Sequence, residues 1–520
     1  MTESSTEVST EAGTVPAPSP GPEYEDEISG SLAEYRRRRD VLEREILPLA
    51  TSVDGFAFEL QASLHGLSLS RGSYVVLEVE GEGPRLGQIT DLRAAAYNAG
   101  NVAGRETSLR VTLAQGSGTV LERQGGPFHN ARVRRASSAE VGEWFARTRP
   151  RRAGLELGEL FSAPGVPAVV DSGGLNRHTF MCGQSGSGKT YALGLLLERV
   201  LAETQLRVVI LDPNSDYVGL SHIRDDADPG MAERYAEVTA DVSVWGNGPG
   251  ADRALRLRFG ELDKATQAAV LGLDPIADRE EYAVLVDRLR SQADRPLVTE
   301  ASQLLDSEVP GARQLGLRAL NLGVLDFHVW DPTAPSLIAE LRDPSARCTV
   351  VDLGSLDSLR EQRLVTAAVL STLWDSRLSR TPCLLVMDEA HNICPADPPD
   401  PLSGLATDGA VQIAAEGRKY GLYLLVSTQR PNKVHENVVS QCDNLLLMRM
   451  NSQADLGDLT RLFSFAPKGL VDGATSFRLG QTLVAGKILP ETAYVQMGDR
   501  VSREGGADIP TSWAEPRSPR

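Results

Sequence analysis

The stretch Thr179-Phe180-Met181-Cys182-Gly183-Gln184-Ser185-Gly186-Ser187-Gly188-Lys189-Thr190-Tyr191-Ala192-Leu193 decides the fold. Its centre, Gly183, Gln184, Ser185, Gly186, Ser187, Gly188, Lys189 and Thr190, fits the phosphate-loop pattern Gly-x-x-x-x-Gly-Lys-Ser/Thr. The apolar run before it reads as a strand. The run after it, through Leu195-Leu196-Leu197 to Leu201, has the apolar spacing of a buried helix. Glycines in such a loop let successive N–H groups converge on phosphate oxygens, and the helix N-terminus adds partial positive charge. Lys189 is placed to reach the β and γ phosphates, and the Thr190 hydroxyl to ligate Mg²⁺. A chance glycine-rich turn would lack both flanks, so the reading is a nucleotide site.

A phosphate loop needs a complement, and Leu384-Leu385-Val386-Met387-Asp388-Glu389-Ala390-His391 supplies it: an apolar strand ending in two carboxylates. Asp388 is expected to order the Mg²⁺ shell and Glu389 to polarise the attacking water. A strand end capped without chemistry is the bland alternative. Leu424-Leu425-Val426-Ser427-Thr428-Gln429-Arg430-Pro431 is another strand with a polar end, where Gln429 is a candidate to sense the γ-phosphate. Before it, Glu416-Gly417-Arg418-Lys419-Tyr420-Gly421 reads as a helix end stopped by Gly421. Arg418 there has two readings, a finger aimed at a neighbouring subunit's nucleotide or a surface cation favoured by a helix C-terminus. His391 is either a coupling residue or a hydrogen-bonding histidine at a helix start. Asp212, ending Val209-Ile210-Leu211-Asp212, is a further candidate near the metal's water.

At 520 residues the chain has room for two or three domains, and 41% hydrophobic with 24% charged residues is ordinary for a globular protein. A net charge of −17 excludes a surface that is basic all over, so any nucleic-acid contact must be local. Five cysteines, none in a Cys-x-x-Cys pair, read as reduced and buried, without zinc or disulfides. No apolar run approaches the roughly 20 residues of a membrane span and no signal peptide is evident, so a cytoplasmic protein without membrane contact is expected.

Residues 1–28 read as a disordered acidic tail, and Glu34 to Leu47, with Arg36 to Arg39, as a short helix with a solvated face. Glycine-broken β-like runs over 52–140 predict a small antiparallel barrel, within an N-terminal domain of 29–145. Residues 146–165, with Arg147, Arg149, Arg151 and Arg152, read as a linker. Strand candidates at 178–182, 207–211, 348–352, 383–387, 422–427 and 444–449 alternate with helical patterns, which predicts a mostly parallel α/β sheet across 166–495. A helical insertion interrupts it at about 258–345, and 496–520 reads as an extended tail.

Taken together, the motor segments resemble the HerA branch of the HerA/FtsK family of DNA-translocating P-loop NTPases. The resemblance rests on the 178–190 segment, Asp212-Pro213-Asn214-Ser215-Asp216-Tyr217, Asp388-Glu389-Ala390-His391, Glu416 to Gly421, Ser427 to Pro431, and Val439-Ser440-Gln441-Cys442-Asp443-Asn444 leading to Met448-Arg449-Met450. It covers about residues 150–490. It implies a RecA-like fold, an N-terminal barrel of the HAS type, a homohexamer with ATP between subunits, and double-stranded DNA in the pore. It also implies that Arg418 is the trans-acting finger and Gln429 the γ-phosphate sensor. Relatives often pair with a nuclease, in DNA end processing or phage defence, so the resemblance implies a partner nuclease. Three rivals stand beside that translocase: an ATP-gated scaffold for an effector nuclease, a conjugation- or secretion-type pump, and a protein-unfolding ring.

Overall fold

A computed structural model describes residues 30–34, 36–38, 41, 48–63, 68–99, 109–122, 125–149, 151–291 and 304–505. The acidic tail 1–28, most of Glu34 to Leu47, and residues 506–520 lie outside them.

The N-terminal strands are β1 (Leu49–Ser52), β2 (Ala57–Ser63), β3 (Tyr74–Glu78), β4 (Arg85–Ala99), β5 (Leu109–Val120) and β6 (Phe128–Arg135). They close into a six-stranded antiparallel barrel in the order β1-β2-β5-β4-β3-β6. Period-two patterning makes it close: in β2, Phe58, Leu60 and Ala62 point inward while Glu59 and Gln61 face water. Phe58, Leu60, Val75, Leu77, Ile89 and Val133 fill the interior. Gly118 is required there, because a Cβ would fall 2.2 Å from the Phe58 ring. The expected barrel is thus present.

The rest of the chain builds one sheet from β7 (Gly154–Leu160), β8 (Pro167–Asp171), β9 (Thr179–Cys182), β10 (Arg207–Asp212), β11 (Val242–Gly246), β12 (Arg253–Ala254), β13 (Cys348–Asp352), β14 (Cys383–Met387), β15 (Leu422–Thr428), β16 (Asn444–Leu447), β17 (Gln481–Gly486) and β18 (Ala493–Met497). Its order is β12-β11-β13-β10-β14-β15-β9-β16-β17-β18-β7-β8. Pairing is parallel from β12 to β16 and antiparallel from there to β8. Both faces of the parallel part are buried, which is why its strands are continuous apolar runs. Val209 and Leu211 of β10 join the core on one face, Val208 and Ile210 the core on the other. Helix α2 (Lys189–Glu203), numbered after α1 (Ser138–Thr148), covers the second face. Helices α3 (Leu359–Asp375) and α4 (Pro401–Glu416) cover the first.

All six strand candidates between 166 and 495 are strands. Segments between 258 and 345 form the helices Lys264–Val270, Arg279–Ser291, Pro310–Asn321 and Leu337–Arg342, packed on the α3/α4 face. Two segments differ from the reading. Residues 146–165, read as a linker, hold the end of α1 and all of β7, whose Leu155, Leu157 and Leu160 are buried. The four arginines of that stretch are exposed. Residues 496–505, read as the start of a tail, finish β18 and then lie on α2. There Glu198 accepts hydrogen bonds from the N–H groups of Val501 (2.8 Å) and Ser502 (2.6 Å). Neither stretch has a long apolar run, because each completes its burial against residues far away in sequence. Among the described residues no helix is long and apolar enough to cross a membrane. All five cysteines are free and buried.

Candidate nucleotide-hydrolysis site

Parallel register gathers the site. Cys182 lies beside Thr428 on one side and Leu447 on the other, and Met387 lies beside Val426 and Leu211. The carboxyl ends of β9, β10, β14, β15 and β16 therefore open on one edge, where parallel sheets bind ligands. A cavity of about 760 Å³ lies there, lined by the phosphate loop, Asp216, Gln429, and the strand-end residues Gln496 to Asp499.

In the loop, Gly186 (φ 72°) and Gly188 (φ 90°) adopt left-handed backbone that other residues resist. The loop is tied down by Gln184 N–H donating to the Arg449 carbonyl at 3.0 Å and Ser187 N–H to the Gln184 carbonyl at 3.1 Å. Helix α2 starts at Lys189 with glycine as its cap and no side chain bonded to its first N–H groups. Those donors are free for an anion.

Lys189 Nζ donates to Asp388 Oδ1 at 2.6 Å and Ser427 Oγ at 3.1 Å, and lies 3.2 Å from Glu389 Oε1. Burial works against its charge, but the two neighbouring carboxylates outweigh burial and raise its pKa. Asp388 is fully buried; Oδ1 also accepts from Ser427 Oγ (2.7 Å) and Oδ2 from Tyr217 (3.2 Å). Glu389 sits at φ 42°, strained for a residue with a side chain, and its buried carboxylate lies against Lys189 and Gln429. Its Oε1 accepts from Gln429 Nε2 at 2.7 Å. Its buried Oε2 receives no hydrogen bond, although His391 Nδ1 is 3.2 Å away; that nitrogen instead bonds Thr428 Oγ1 at 3.1 Å. Burial lowers the pKa of His391.

The structure thus brings Lys189, Thr190, Asp388, Glu389 and Gln429 together. Asp212 differs from expectation. It is buried beneath the turn, and its oxygens accept from the N–H groups of Asn214, Asp216 and Tyr217, so it shapes the turn rather than facing a metal's water. Burial pushes its pKa up to about 7. Arg418 lies elsewhere. It occupies the turn Gly417–Tyr420, stopped by Gly421 in left-handed backbone (φ 86°), at the amino end of β15. The seven residues of β15 separate it from the loop edge, about 20 Å at ~3.3 Å per residue. It is half-exposed and lies 3.5 Å from Asp443. Ser427, Asp216 and Tyr217 went unassigned by sequence reading. Only Ser427 carried a signal, a hydroxyl closing an apolar strand.

A phosphate loop on β9, an acidic pair at the end of β14 and a polar strand end between them define a P-loop NTPase. The family model described as "Helicase HerA, central domain" matches residues 155–308. Among curated relatives, a protein named DNA double-strand break repair helicase HerA from Sulfurisphaera tokodaii is 23% identical over 399 residues, 74% of this chain and 76% of that one. Its namesake from Pyrococcus furiosus is 20% identical over 408 residues, 66% of this chain and 69% of that one. The chain is similar to these HerA helicases over most of its length, and its site is that of a nucleotide-binding P-loop ATPase. Solved structures with likeness include VirB4 of Thermoanaerobacter pseudethanolicus (TM-score 0.45, 15% identity, 67% of this chain and 96% of that one). The bacterial conjugative coupling protein TrwB is another (TM-score 0.43, 14% identity, 70% and 92%).

Proposed function

We propose that the chain is an ATP-driven motor that works as a homohexamer, translocates double-stranded DNA and acts with a partner nuclease in DNA end processing or phage defence. The relatives' names support DNA as the track. Five free, buried cysteines fit a reducing cytoplasm.

In this reading Gly183 to Gly188 cradle the phosphates and Lys189 turns from the acidic pair to the β and γ phosphates. The Thr190 hydroxyl and Asp388 are hard oxygen donors that suit Mg²⁺, which when bound neutralises charge on the phosphate oxygens. Glu389 is the base. Gln429, on the cavity lining, holds the Glu389 carboxylate, which takes a proton from the water as that water attacks the γ-phosphorus and the bond to the bridging oxygen breaks to release ADP. Arg418 cannot serve its own pocket and completes a neighbour's. The observation that carries this reading is that Lys189 and Gln429, both lining the cavity, are bonded directly to the buried acidic pair Asp388 and Glu389. Steady-state turnover with and without duplex DNA tests it. Glu389→Gln is expected to keep ATP binding and lower kcat by about 100-fold or more. Undiminished turnover in that variant, or turnover of the unaltered protein indifferent to DNA, would count against the corresponding part.

A further inference from the structure

The turn after β10 contributes a second aspartate with surroundings opposite to those of Asp212. Asp212 is sealed beneath the turn and its acceptors are taken by backbone N–H groups. Asp216 lines the nucleotide cavity, and its Oδ2 accepts from the Thr190 hydroxyl at 3.5 Å. Asp388, by contrast, has its oxygens occupied by Lys189, Ser427 and Tyr217. The Thr190 hydroxyl, the expected metal ligand, is therefore directed to Asp216.

Charge points the same way. Burial first, and then the charges of Asp388 and Glu389, raise the Asp216 pKa, while Lys189 is the ammonium beside the acidic pair and works the other way. Asp216, Asp499 and Glu504 line the cavity, and Lys189 is already paired with Asp388 and Glu389, so carboxylates outnumber the ammonium before any phosphate enters. A triphosphate deepens the deficit, and a divalent cation offsets it at the point where oxygen donors already converge. Magnesium sites of this kind draw on one or two carboxylates, a hydroxyl and phosphate oxygens, a set that Thr190, Asp216 and Asp388 match.

We propose that Asp216 contributes a carboxylate to the divalent-cation site together with Thr190 and Asp388. This rests on the ATP–Mg²⁺ reading above and goes beyond it. The test uses the full chain, with Mn²⁺ as the probe and a non-hydrolysable ATP analogue, and reads bound Mn²⁺ by electron paramagnetic resonance. Asp216→Asn is expected to weaken Mn²⁺ binding about 10- to 100-fold, while analogue binding in EDTA stays within about twofold of the parent. Mn²⁺ affinity within about twofold of the parent overturns the proposal. If the unaltered chain binds no analogue at all, the ATP reading itself fails, which the same titration reports separately. Asp216→Cys guards against a purely structural effect. It is expected to shift analogue binding from Mg²⁺ dependence toward thiophilic Cd²⁺, and an unchanged preference in a folded variant also overturns the assignment.

Discussion

His178 shows how much one side chain organises here. It is fully buried at the entrance to β9, with φ 51°. Its Nδ1 accepts from the Leu424 N–H at 2.9 Å, so Nε2 carries the proton and donates to the Ala414 carbonyl at 3.1 Å. One neutral ring thus joins β15 to the end of α4, just ahead of the Arg418 turn. Burial, with the Arg418 charge nearby, pulls its pKa down to about 4 from 6.5. A depressed histidine pKa means the unfolded chain binds the extra proton first. Its contribution is complete above pH 6.5 and lost as pH falls toward 4, with a full size of about 3 kcal/mol at 1.36 kcal/mol per unit. The stability gap between the parent and His178→Gln in urea unfolding is therefore expected to shrink between pH 7 and pH 4.5. A gap that is constant or widens would contradict a neutral, buried ring. None of this was legible from the residue itself, since a histidine before a strand fits many roles. That Lys189, Asp388 and Glu389 meet was legible, because each belongs to a pattern of a few adjacent residues.

At the scale of elements, α2 is the phosphate loop's anchor and depends on a segment 300 residues later. Glu198 and Arg500 are both fully buried and 3.4 Å apart, and Arg500 Nε also donates to Ser502 Oγ at 3.1 Å. Gly194 makes room for this pair: a Cβ there would fall 2.3 Å from the Arg500 guanidinium carbon. Removing one partner strands a buried charge, so Glu198→Ala is expected to destabilise the protein by about 3–5 kcal/mol. Chemical denaturation measures it, and a loss under about 1 kcal/mol would mean the charge finds water or Glu504 instead. The strands β7, β17 and β18 belong to the same lesson. They are short, half-polar and antiparallel, and their apolar positions make sense only once β16 and α2 are beside them. The parallel strands were readable because burial on both faces demands uninterrupted apolar runs.

For the whole molecule, the barrel seats directly on the α/β domain. Arg71 Nη2 pairs with Asp91 at 2.9 Å beside the contact, the Tyr494 ring covers Gly72, and Gly469 lies so close to Thr90 that a Cβ would fall 2.3 Å from its carbonyl oxygen. Tyr74 and Val76 of the barrel share a core with Leu155 and Leu157 of β7. The nucleotide edge and Arg418 lie at opposite ends of the motor's sheet, so a finger role requires a second copy. If so, Arg418→Ala and Glu389→Gln chains, each inactive alone, are expected to recover part of the ATP turnover when mixed. No recovery in assembled rings would remove Arg418 from the chemistry. What the sequence determined alone was local: a loop of glycines before a lysine, apolar runs ending in carboxylates, and hence a nucleotide site on a mostly parallel α/β sheet. The tertiary structure decided which aspartate faces Thr190, which hydroxyl holds Lys189, and what carries α2. Those depend on groups tens to hundreds of residues apart meeting at one sheet edge, and only the packed chain sets that distance.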